Sequence, residues 1–171
     1  MRESEKQKQF IESYDRFSDS IFRYCYLRVW SRELAQDLVQ ETFVRTWDYL
    51  QEGKQIDNFR PFLFRVATNL IIDESRKRKV VSLDLLKEKG IEPRLNVGRD
   101  FGEHFDANQV IDVIKSLDPK YREAVLLRFV EDLPVKEISR ILGETEDNIS
   151  VRIHRGLKKV KEILDHHGQI I

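Results

Sequence analysis

The 171-residue sequence is poor in several features that would define common protein classes. Its single cysteine excludes an internal disulfide and any zinc site built from several cysteines. No apolar run approaches the roughly 18 residues that a membrane-spanning helix needs, and the start MRESEKQKQF lacks the apolar stretch of a signal peptide. A surplus of charge is also missing, because 30 basic residues balance 30 acidic ones. We therefore expect a cytoplasmic protein whose charged binding surfaces are local.

Arrangements typical of catalysis are missing too. The sequence shows no paired carboxylates, no nucleophile beside a base and no glycine-rich phosphate loop. Its four histidines have no spacing typical of a metal site. We expect no enzyme activity, no metal and no cofactor. Cys25 lies among aromatic and aliphatic neighbours, which favours a buried and unreactive thiol.

Apolar residues recur every three or four positions, and alternation typical of strands is scarce. The pattern predicts an all-α protein. Residues 8–30 are interpreted as two helices, with Ser18 or Asp19 capping the second. A second region, residues 33–50, forms an amphipathic helix, and a further helix begins at Pro61 and runs to about Lys79.

Residues 81–106 have no steady period and contain three glycines and one proline. Six acids there outnumber four bases. This stretch is interpreted as a flexible linker between two small helical domains, at residues 1–80 and 107–171. A linker of this length would let the two domains bind separate places at once. Its acids are expected to limit unproductive binding to nucleic acid.

The C-terminal domain contains a predicted helix-turn-helix. Val135 to Leu142 form its first helix, Gly143 ends that helix, and Thr145 caps the second. Between Asn148 and Lys161 the second helix carries five cations and no acid, which is typical of a helix that lies against DNA. Its opposite face is expected to be anchored by apolar side chains, namely Ile149, Ile153, Leu157, Val160 and Leu164.

Two upstream segments resemble a known family. DLVQETFVRTW at 37–47 is similar to the D-x-x-Q-E-x-F-x-x-x-W helix of the sigma-70 family, and FRPFLFRVATNLIIDESRKRK at 59–79 is similar to its next helix. Downstream, LDPKYREAVLLRF through GLKKV resembles the promoter-binding domain of the same family. The length and order are those of its extracytoplasmic-function group of RNA polymerase initiation factors. Phe62 replaces a usual tryptophan, and Gly156-Leu157 stands where Ala-Arg is common.

The resemblance implies a docking face for core RNA polymerase. Asp37, Gln40, Glu41 and Val44 follow one another at i, i+3, i+4 and i+7, so they share one helix face. In the family this face binds the clamp helices of the largest polymerase subunit. Taken without the resemblance, the same pattern would describe an ordinary solvated helix face.

The resemblance also implies contacts to the minus-ten promoter element. Asn69 suits a base pulled out of the stack, because an amide both donates and accepts hydrogen bonds. The implied pocket is formed by the loop before residue 61 and the helix that contains Asn69. Phe59, Phe62 and Phe64 could offer stacking faces to unpaired bases, but we expect at least two of the three to belong to the core. The full minus-ten set is Asp57, Asn58, Phe59, Arg65, Asn69, Arg76 and Lys77.

Recognition of the minus-thirty-five element falls on the second helix of the helix-turn-helix. Of Arg152 and Arg155, one is expected to read bases and the other to hold phosphate. Further partners implied by the family are the polymerase flap and an anti-sigma factor. Two alternatives remain, a stand-alone helix-turn-helix repressor and a helical protein-interaction adaptor. The full set of candidates is Thr145, Asn148, Ser150, Val151, Arg152, His154, Arg155, Lys158 and Lys159.

Overall fold

The computed structural model describes residues 3–82 and 107–168, and the regular elements in these two ranges are all helices. The chain divides into two compact units, the first built mainly from three helices and the second mainly from the others. The predicted linker, residues 81–106, lies outside the described residues from 83 onward. No described helix has the length and apolar character needed to cross a bilayer. The helices are α1 (Glu3–Val29), α2 (Arg32–Gln51), α3 (Phe59–Ser82), α4 (Ala107–Ser116), α5 (Pro119–Val125), α6 (Val135–Leu142) and α7 (Glu146–Gly168).

Helix α1 is a single uninterrupted helix, so the predicted break at Ser18 or Asp19 is wrong. The apolar stripe passes through that position without a change of phase, from Phe17 to Ile21 and on to Tyr24. Serine and aspartate inside a helix cost only a fraction of a kcal/mol each. Burial of the stripe on both sides therefore outweighs the local preference of these two residues for a cap.

The core of the first unit forms where α1, α2 and α3 pack together. Tyr24 is fully buried, its ring stands edge-on to Phe64 at 5.4 Å between centroids, and its hydroxyl shares a 2.9 Å hydrogen bond with Thr68 Oγ1. Ser31 caps α2 by accepting a 3.2 Å hydrogen bond from the Leu34 amide. These contacts fix which face of each helix is left for solvent.

The buried thiol of Cys25 agrees with the sequence interpretation. Burial raises the pKa of this thiol to about 12, and the nearby Arg28 opposes part of that rise. Since the thiolate is the reactive form of cysteine, the side chain is a core residue and not a nucleophile.

Helix α3 begins at Phe59, two residues before the predicted start at Pro61. The Asn58 side chain accepts a 3.2 Å hydrogen bond from the Arg60 amide and so caps the first turn. Pro61 then lies within that first turn, where its missing N–H would have had no partner inside the helix. The other end continues to Ser82, three residues past the predicted end.

In the second unit, α4 and α5 both pack on α7. Arg122 of α5 closes the C-terminus of α4 by donating to the carbonyl oxygens of Ile114, Lys115 and Leu117 at 2.6 to 3.0 Å. A π-helical segment, Leu126–Val130, continues α5. The shared core includes fully buried residues of these elements, of α6 and of the turn before α6, namely Ala124, Leu127, Leu133, Ile138 and Ile149.

In the turn between α6 and α7, the residue that ends α6 and the residue that caps α7 are both those predicted from the sequence. Gly143 adopts a φ of +67°, the left-handed conformation that ends α6. The Thr145 hydroxyl accepts a 3.2 Å hydrogen bond from the Asn148 amide at the start of α7. The helix-turn-helix is therefore present as predicted.

One predicted anchor of α7 is wrong. Leu157 is 40% exposed, while its neighbour Gly156 faces the interior against Tyr121 and Val125 of α5. Because Gly156 has no side chain, the backbones of α5 and α7 approach closely at this point. With Gly156 facing α5, Leu157 points away from the core. Ile149 and Ile153 are buried as expected.

Candidate protein and nucleic-acid interfaces

The outward face of α2 brings the four predicted docking residues together. Asp37, Gln40, Glu41 and Val44 are all exposed, and the Val44 side chain is an exposed apolar group at 53%. The opposite face is buried through Leu38, Phe43, Leu50 and other residues of the core. The rotation of α2 about its axis is thus fixed by packing, which leaves the four candidates facing solvent.

Glu41 has a partner on its own helix. Arg45 Nε donates to Glu41 Oε1 at 2.7 Å, and both side chains are about half exposed. An exposed pair of this kind contributes at most about 1 kcal/mol. The carboxylate can therefore exchange this partner for a basic side chain of another protein at small cost.

An apolar groove lies beside the docking face, and sequence reasoning missed it. The groove has a volume of about 560 Å³ and runs between α1 and α2. Its signal in the sequence is a surplus of apolar residues on α1, because Ile11 and Tyr14 are exposed although they keep the helical period. Gln40 and Val44 are among its lining residues, so the groove adjoins the candidate face. The lining residues are Gln7, Phe10, Ile11, Tyr14, Gln40, Phe43, Val44 and Trp47.

A second cleft, of about 650 Å³, lies between α2 and α3. It brings together two groups that are far apart in the sequence, the acidic candidates Asp37 and Glu41 and the basic candidates Arg76 and Lys77. Arg76 Nη1 lies 3.9 Å from Asp73 Oδ1, and both side chains are exposed. Carboxylates and cations therefore line one cleft.

The loop before α3 forms a polar pocket of about 330 Å³ together with α1. Asp57, Asn58 and Phe59 line it on one side, and Gln9, Glu12, Ser13, Arg16 and Phe17 of α1 line the other. Asn69 is not among the lining residues. It is exposed on α3, on the same side of the helix as Arg65. The structure thus brings three minus-ten candidates together and places Asn69 and Arg65 on a separate face.

The three phenylalanines of this region have different environments. Phe64 is fully buried against Tyr24, so it is a core residue. Phe62 is half-buried, with its ring 4.9 Å from that of Tyr49 and the Arg65 guanidinium 5.4 Å from its centroid. Phe59 is half-buried in the loop pocket. Of the three, only Phe64 is fully buried, one fewer than expected for the core, so stacking on an unpaired base is open to Phe59 and Phe62.

The outward face of α7 presents most of the minus-thirty-five candidates. Exposed side chains in the first turns of this helix are those of Asn148, Ser150, Val151, His154, Arg155 and Lys158. The Thr145 hydroxyl is engaged as the helix cap. Because α7 is anchored through Ile149, Ile153 and Gly156, these exposed residues form a continuous strip along the helix.

Two cations of α7 are engaged by acids that lie outside the helix. Arg152 Nη2 contacts Glu144 Oε1 in the turn, and the two side chains are only 23% and 29% exposed. Lys159 Nζ lies 3.3 Å from Asp118 Oδ2 and 5.1 Å from the centroid of the Tyr121 ring. Of the two arginines proposed to divide base reading and phosphate binding, Arg155 is the exposed one.

Comparison with known families and proteins covers both units. Residues 13–80 match the family described as Sigma-70 region 2, and residues 107–160 match Sigma-70, region 4. The chain is 28% identical over 168 residues to the ECF RNA polymerase sigma factor SigW of Bacillus subtilis, covering 92% of this chain and 90% of that one. It is also 28% identical to SigM of the same organism, covering 89% of this chain and 93% of the relative.

Solved structures agree with the fold. The sigma factor RpoE of Bartonella quintana, solved with the anti-sigma factor NepR, superposes with a TM-score of 0.78 at 21% identity, covering 92% of this chain and 98% of that one. CnrH, solved with the cytosolic domain of CnrY, gives a TM-score of 0.69 at 23% identity, covering 94% of this chain and 90% of the other.

Proposed function

This chain belongs to the sigma-70 family, in its extracytoplasmic-function group, and from that premise we propose that it binds core RNA polymerase and directs promoter-specific initiation of transcription. The observation that carries the proposal is the exposed Asp37, Gln40 and Glu41 face of a helix whose other side is buried. A domain at residues 1–80 binds the polymerase and opens the minus-ten region. A domain at residues 107–171 binds the minus-thirty-five element and the polymerase flap, and residues 81–106 link the two.

Docking on the polymerase uses the α2 face. The carboxylates of Asp37 and Glu41 meet basic side chains of the clamp helices, while Gln40 adds hydrogen bonds at the edge of the apolar groove. Val44 supplies apolar contact area next to these polar groups. A charge pair that is buried and hydrogen-bonded on docking sustains affinity as well as orientation, because removal of one partner leaves the other unpaired at a cost of about 2–5 kcal/mol.

Opening of the minus-ten region uses the loop pocket and the outward side of α3. A base extracted from the stack is held by its hydrogen-bonding edge, and Asp57 and Asn58 offer acceptors and donors in the pocket that Phe59 borders. Asn69 and Arg65 contact the separated strand on the neighbouring face. Arg76 and Lys77 follow phosphates, so they add affinity and salt dependence but little sequence information.

Recognition of the minus-thirty-five element uses α7 in the major groove. The first turns of a recognition helix contact base edges. Arg155 can form two hydrogen bonds with guanine O6 and N7, which discriminates by about 1–3 kcal/mol against another base. Asn148, Ser150, Val151 and His154 make the neighbouring contacts, and Lys158 binds phosphate. Recognition and strand opening are binding functions, and the polymerase supplies the chemistry of RNA synthesis.

The chain is further proposed to be controlled by an anti-sigma factor in the cytoplasm, where the polymerase acts. The support comes from relatives, because the RpoE and CnrH structures named above contain NepR and the cytosolic domain of CnrY. An anti-sigma factor that covers the α2 face would compete directly with the polymerase for the same residues.

Alanine substitution of the docking face tests the proposed function. Purified protein is mixed with sigma-free bacterial core polymerase and run on a sizing column, beside the variant D37A/Q40A/E41A. A matched control, D15A/D19A/Q55A, removes two exposed carboxylates and one exposed amide that lie away from the α2 face on the same unit. Co-elution of the wild type and the control, with loss in the docking variant, is the expected result. Absence of binding by the wild type would refute the proposal.

The stand-alone repressor accounts for less of the molecule. It explains α4 to α7 but gives no role to the α2 face, and the family match over residues 13–80 covers that face as well. A repressor would bind its DNA site tightly without polymerase. Fractions of the free protein from the same column can be assayed for DNA binding.

A further inference from the structure

Four residues of α7 share one flank of the helix, at i, i+4, i+7 and i+11. They are Asn148, Arg152, Arg155 and Lys159. Three of them are cations, and two of these three are held by acids from other segments of the described chain. Arg152 contacts Glu144 of the turn, and Lys159 contacts Asp118, the residue that precedes α5. The middle cation, Arg155, is exposed.

The two ion pairs differ in how firmly they hold their cation. The side chains of Asp118 and Lys159 are 58% and 46% exposed, so water screens this pair and a phosphate can replace the carboxylate at little cost. Glu144 and Arg152 are 29% and 23% exposed. Their attraction is screened less, and a partly buried pair resists the loss of either partner.

Glu144 is itself held in place by the backbone. Ser139 Oγ donates to the Glu144 carbonyl oxygen at 2.5 Å, and the Glu144 amide donates to the Ser139 carbonyl oxygen at 3.1 Å. The turn therefore presents the Glu144 carboxylate to Arg152 from a fixed position. Arg152 lies one turn nearer than Arg155 to the N-terminus of α7, the end that enters the groove in a helix-turn-helix.

We propose that Glu144 is a positioning residue that keeps Arg152 off the DNA and so confines arginine readout on this flank to Arg155. The inference rests on the proposed function, because it requires α7 to be the DNA-binding helix. Neutralising Glu144 releases a guanidinium at the leading end of the helix. The released Arg152 then gains a DNA contact that the wild type does not make.

The test measures binding of the full chain to a fluorescent random-sequence DNA duplex between about 50 and 200 mM salt. For E144Q we expect roughly tenfold tighter binding, the value of one charged hydrogen bond. The slope of log affinity against log salt should steepen by about 0.9, the value for one more phosphate contact. In E144Q/R152Q both changes should disappear. R152Q alone should leave the wild-type slope unchanged, an expectation that does not depend on how E144Q folds.

Controls separate this inference from the proposed function. E146Q removes an exposed acid two residues along the same segment and should produce neither effect. K158Q removes the proposed phosphate contact of α7 and should flatten the slope, and if it does not, α7 is not the DNA-binding helix and the proposed function fails. If K158Q flattens the slope while E144Q changes nothing, only the role of Glu144 is refuted. That role is also refuted if E144Q strengthens binding equally with Arg152 absent, since Glu144 would then repel DNA directly.

Discussion

Two residues other than glycine adopt left-handed backbone conformations in the described ranges, and they do so under different local conditions. Trp30 has a φ of 56° and packs its ring against Tyr26, with 5.9 Å between ring centroids. Asp132 has a φ of 49°, and its side chain is 91% exposed, with Arg128 Nη1 at 3.3 Å from its carboxylate. The conformation is unfavourable in both cases, but only the tryptophan gains substantial packing in return.

Replacing Asp132 by glycine should therefore stabilise the protein. Relief of the left-handed conformation outweighs an exposed ion pair and the extra chain entropy of glycine, for a net gain of about 0.5–1 kcal/mol. The midpoint of urea unfolding for D132G, compared with the wild type, measures this gain. As a contrast, W30G should lower the midpoint, because it removes the ring packing together with the strain. An unchanged or lower midpoint for D132G would contradict the account.

The Cys25 thiol gives a prediction on pH. Its pKa is about 12 in the folded protein, against an ordinary value of 9.0. As the pH rises from about 9 towards 12 only the unfolded state loses this proton, so the free energy of unfolding should fall across that window. Below pH 9 both states keep the proton and this contribution is constant. The difference in urea unfolding between wild type and C25A, followed against pH, isolates the effect, and a flat difference would refute it.

At the scale of the element, the contact between α5 and α7 depends on Gly156. A Cβ atom built there would lie 2.6 Å from Val125 Cγ2, closer than side chains tolerate. Val125 is buried and branched at Cβ, so it has little freedom to move aside. The close approach of α5 and α7 at this point thus depends on one glycine and one valine.

The variant G156A should destabilise the second unit. Alanine gains about 1 kcal/mol in helix propensity, but overpacking of a buried contact costs about 1–3 kcal/mol, so we expect a net loss of roughly 1 kcal/mol. In V125A/G156A the loss of stability should be smaller than the sum of the losses in V125A and G156A, because alanine at position 125 leaves room for the new methyl group at position 156. Thermal unfolding of the wild type, V125A, G156A and V125A/G156A measures this difference, with S150A at an exposed position as a control. Full additivity would show that the two side chains do not meet.

How far the sequence predicts these elements depends on the balance of signals in each. The turn at Gly143 and the cap at Thr145 were predictable because both carry strong local preferences, and both are confirmed. The break in α1 was predicted from local preference alone and is wrong, since tertiary burial overrides it. Leu157 was assigned to the core by its hydrophobicity, whereas the close approach of α5 selects the smaller Gly156. The small residue that the family favours at that position was the available signal.

The candidate sites were likewise predictable where local sequence signals determine them and not where tertiary contacts do. The periodicity of α2 fixed which of its residues share a face, so the exposed docking set could be read from spacing. The acids that hold Arg152 and Lys159 come from the turn and from the segment before α5, and no helical period relates them to α7. The loop pocket likewise uses Gln9 to Phe17 of α1, which lie about 40 or more positions earlier in the chain than the loop. Contacts of this kind require the tertiary structure.

At the scale of the whole molecule, charge is divided unevenly although the total is zero. From Asn148 to Lys161 the α7 sequence has five cations and no acid, while the α2 face presents Asp37 and Glu41. A neutral protein with such local faces has little general attraction to DNA. Its promoter binding should therefore depend on being brought to DNA by the polymerase.

The two proposed activities should be separable by mutation. R155A/K158A changes exposed residues of the second unit only, so it should co-elute with core polymerase as the wild type does. On a promoter selected with the wild-type holoenzyme, its transcription should fall at least about tenfold, since each base-reading pair contributes about 1–3 kcal/mol. The docking variant D37A/Q40A/E41A should lose polymerase but keep its affinity for random-sequence DNA. Loss of both activities in either variant would contradict this division.

The alternation of inward and outward positions along α7 has an evolutionary consequence. Ile149, Ile153 and Gly156 hold the helix in its unit, and the residues between them other than Arg152 are exposed. Mutations at Val151, His154 or Arg155 can therefore accumulate while the protein still folds. Duplicated genes for such a regulator can in this way evolve different promoter preferences. A library that randomises the outward positions of α7 uses the same tolerance to substitution. It offers a route to regulators that do not activate one another's promoters.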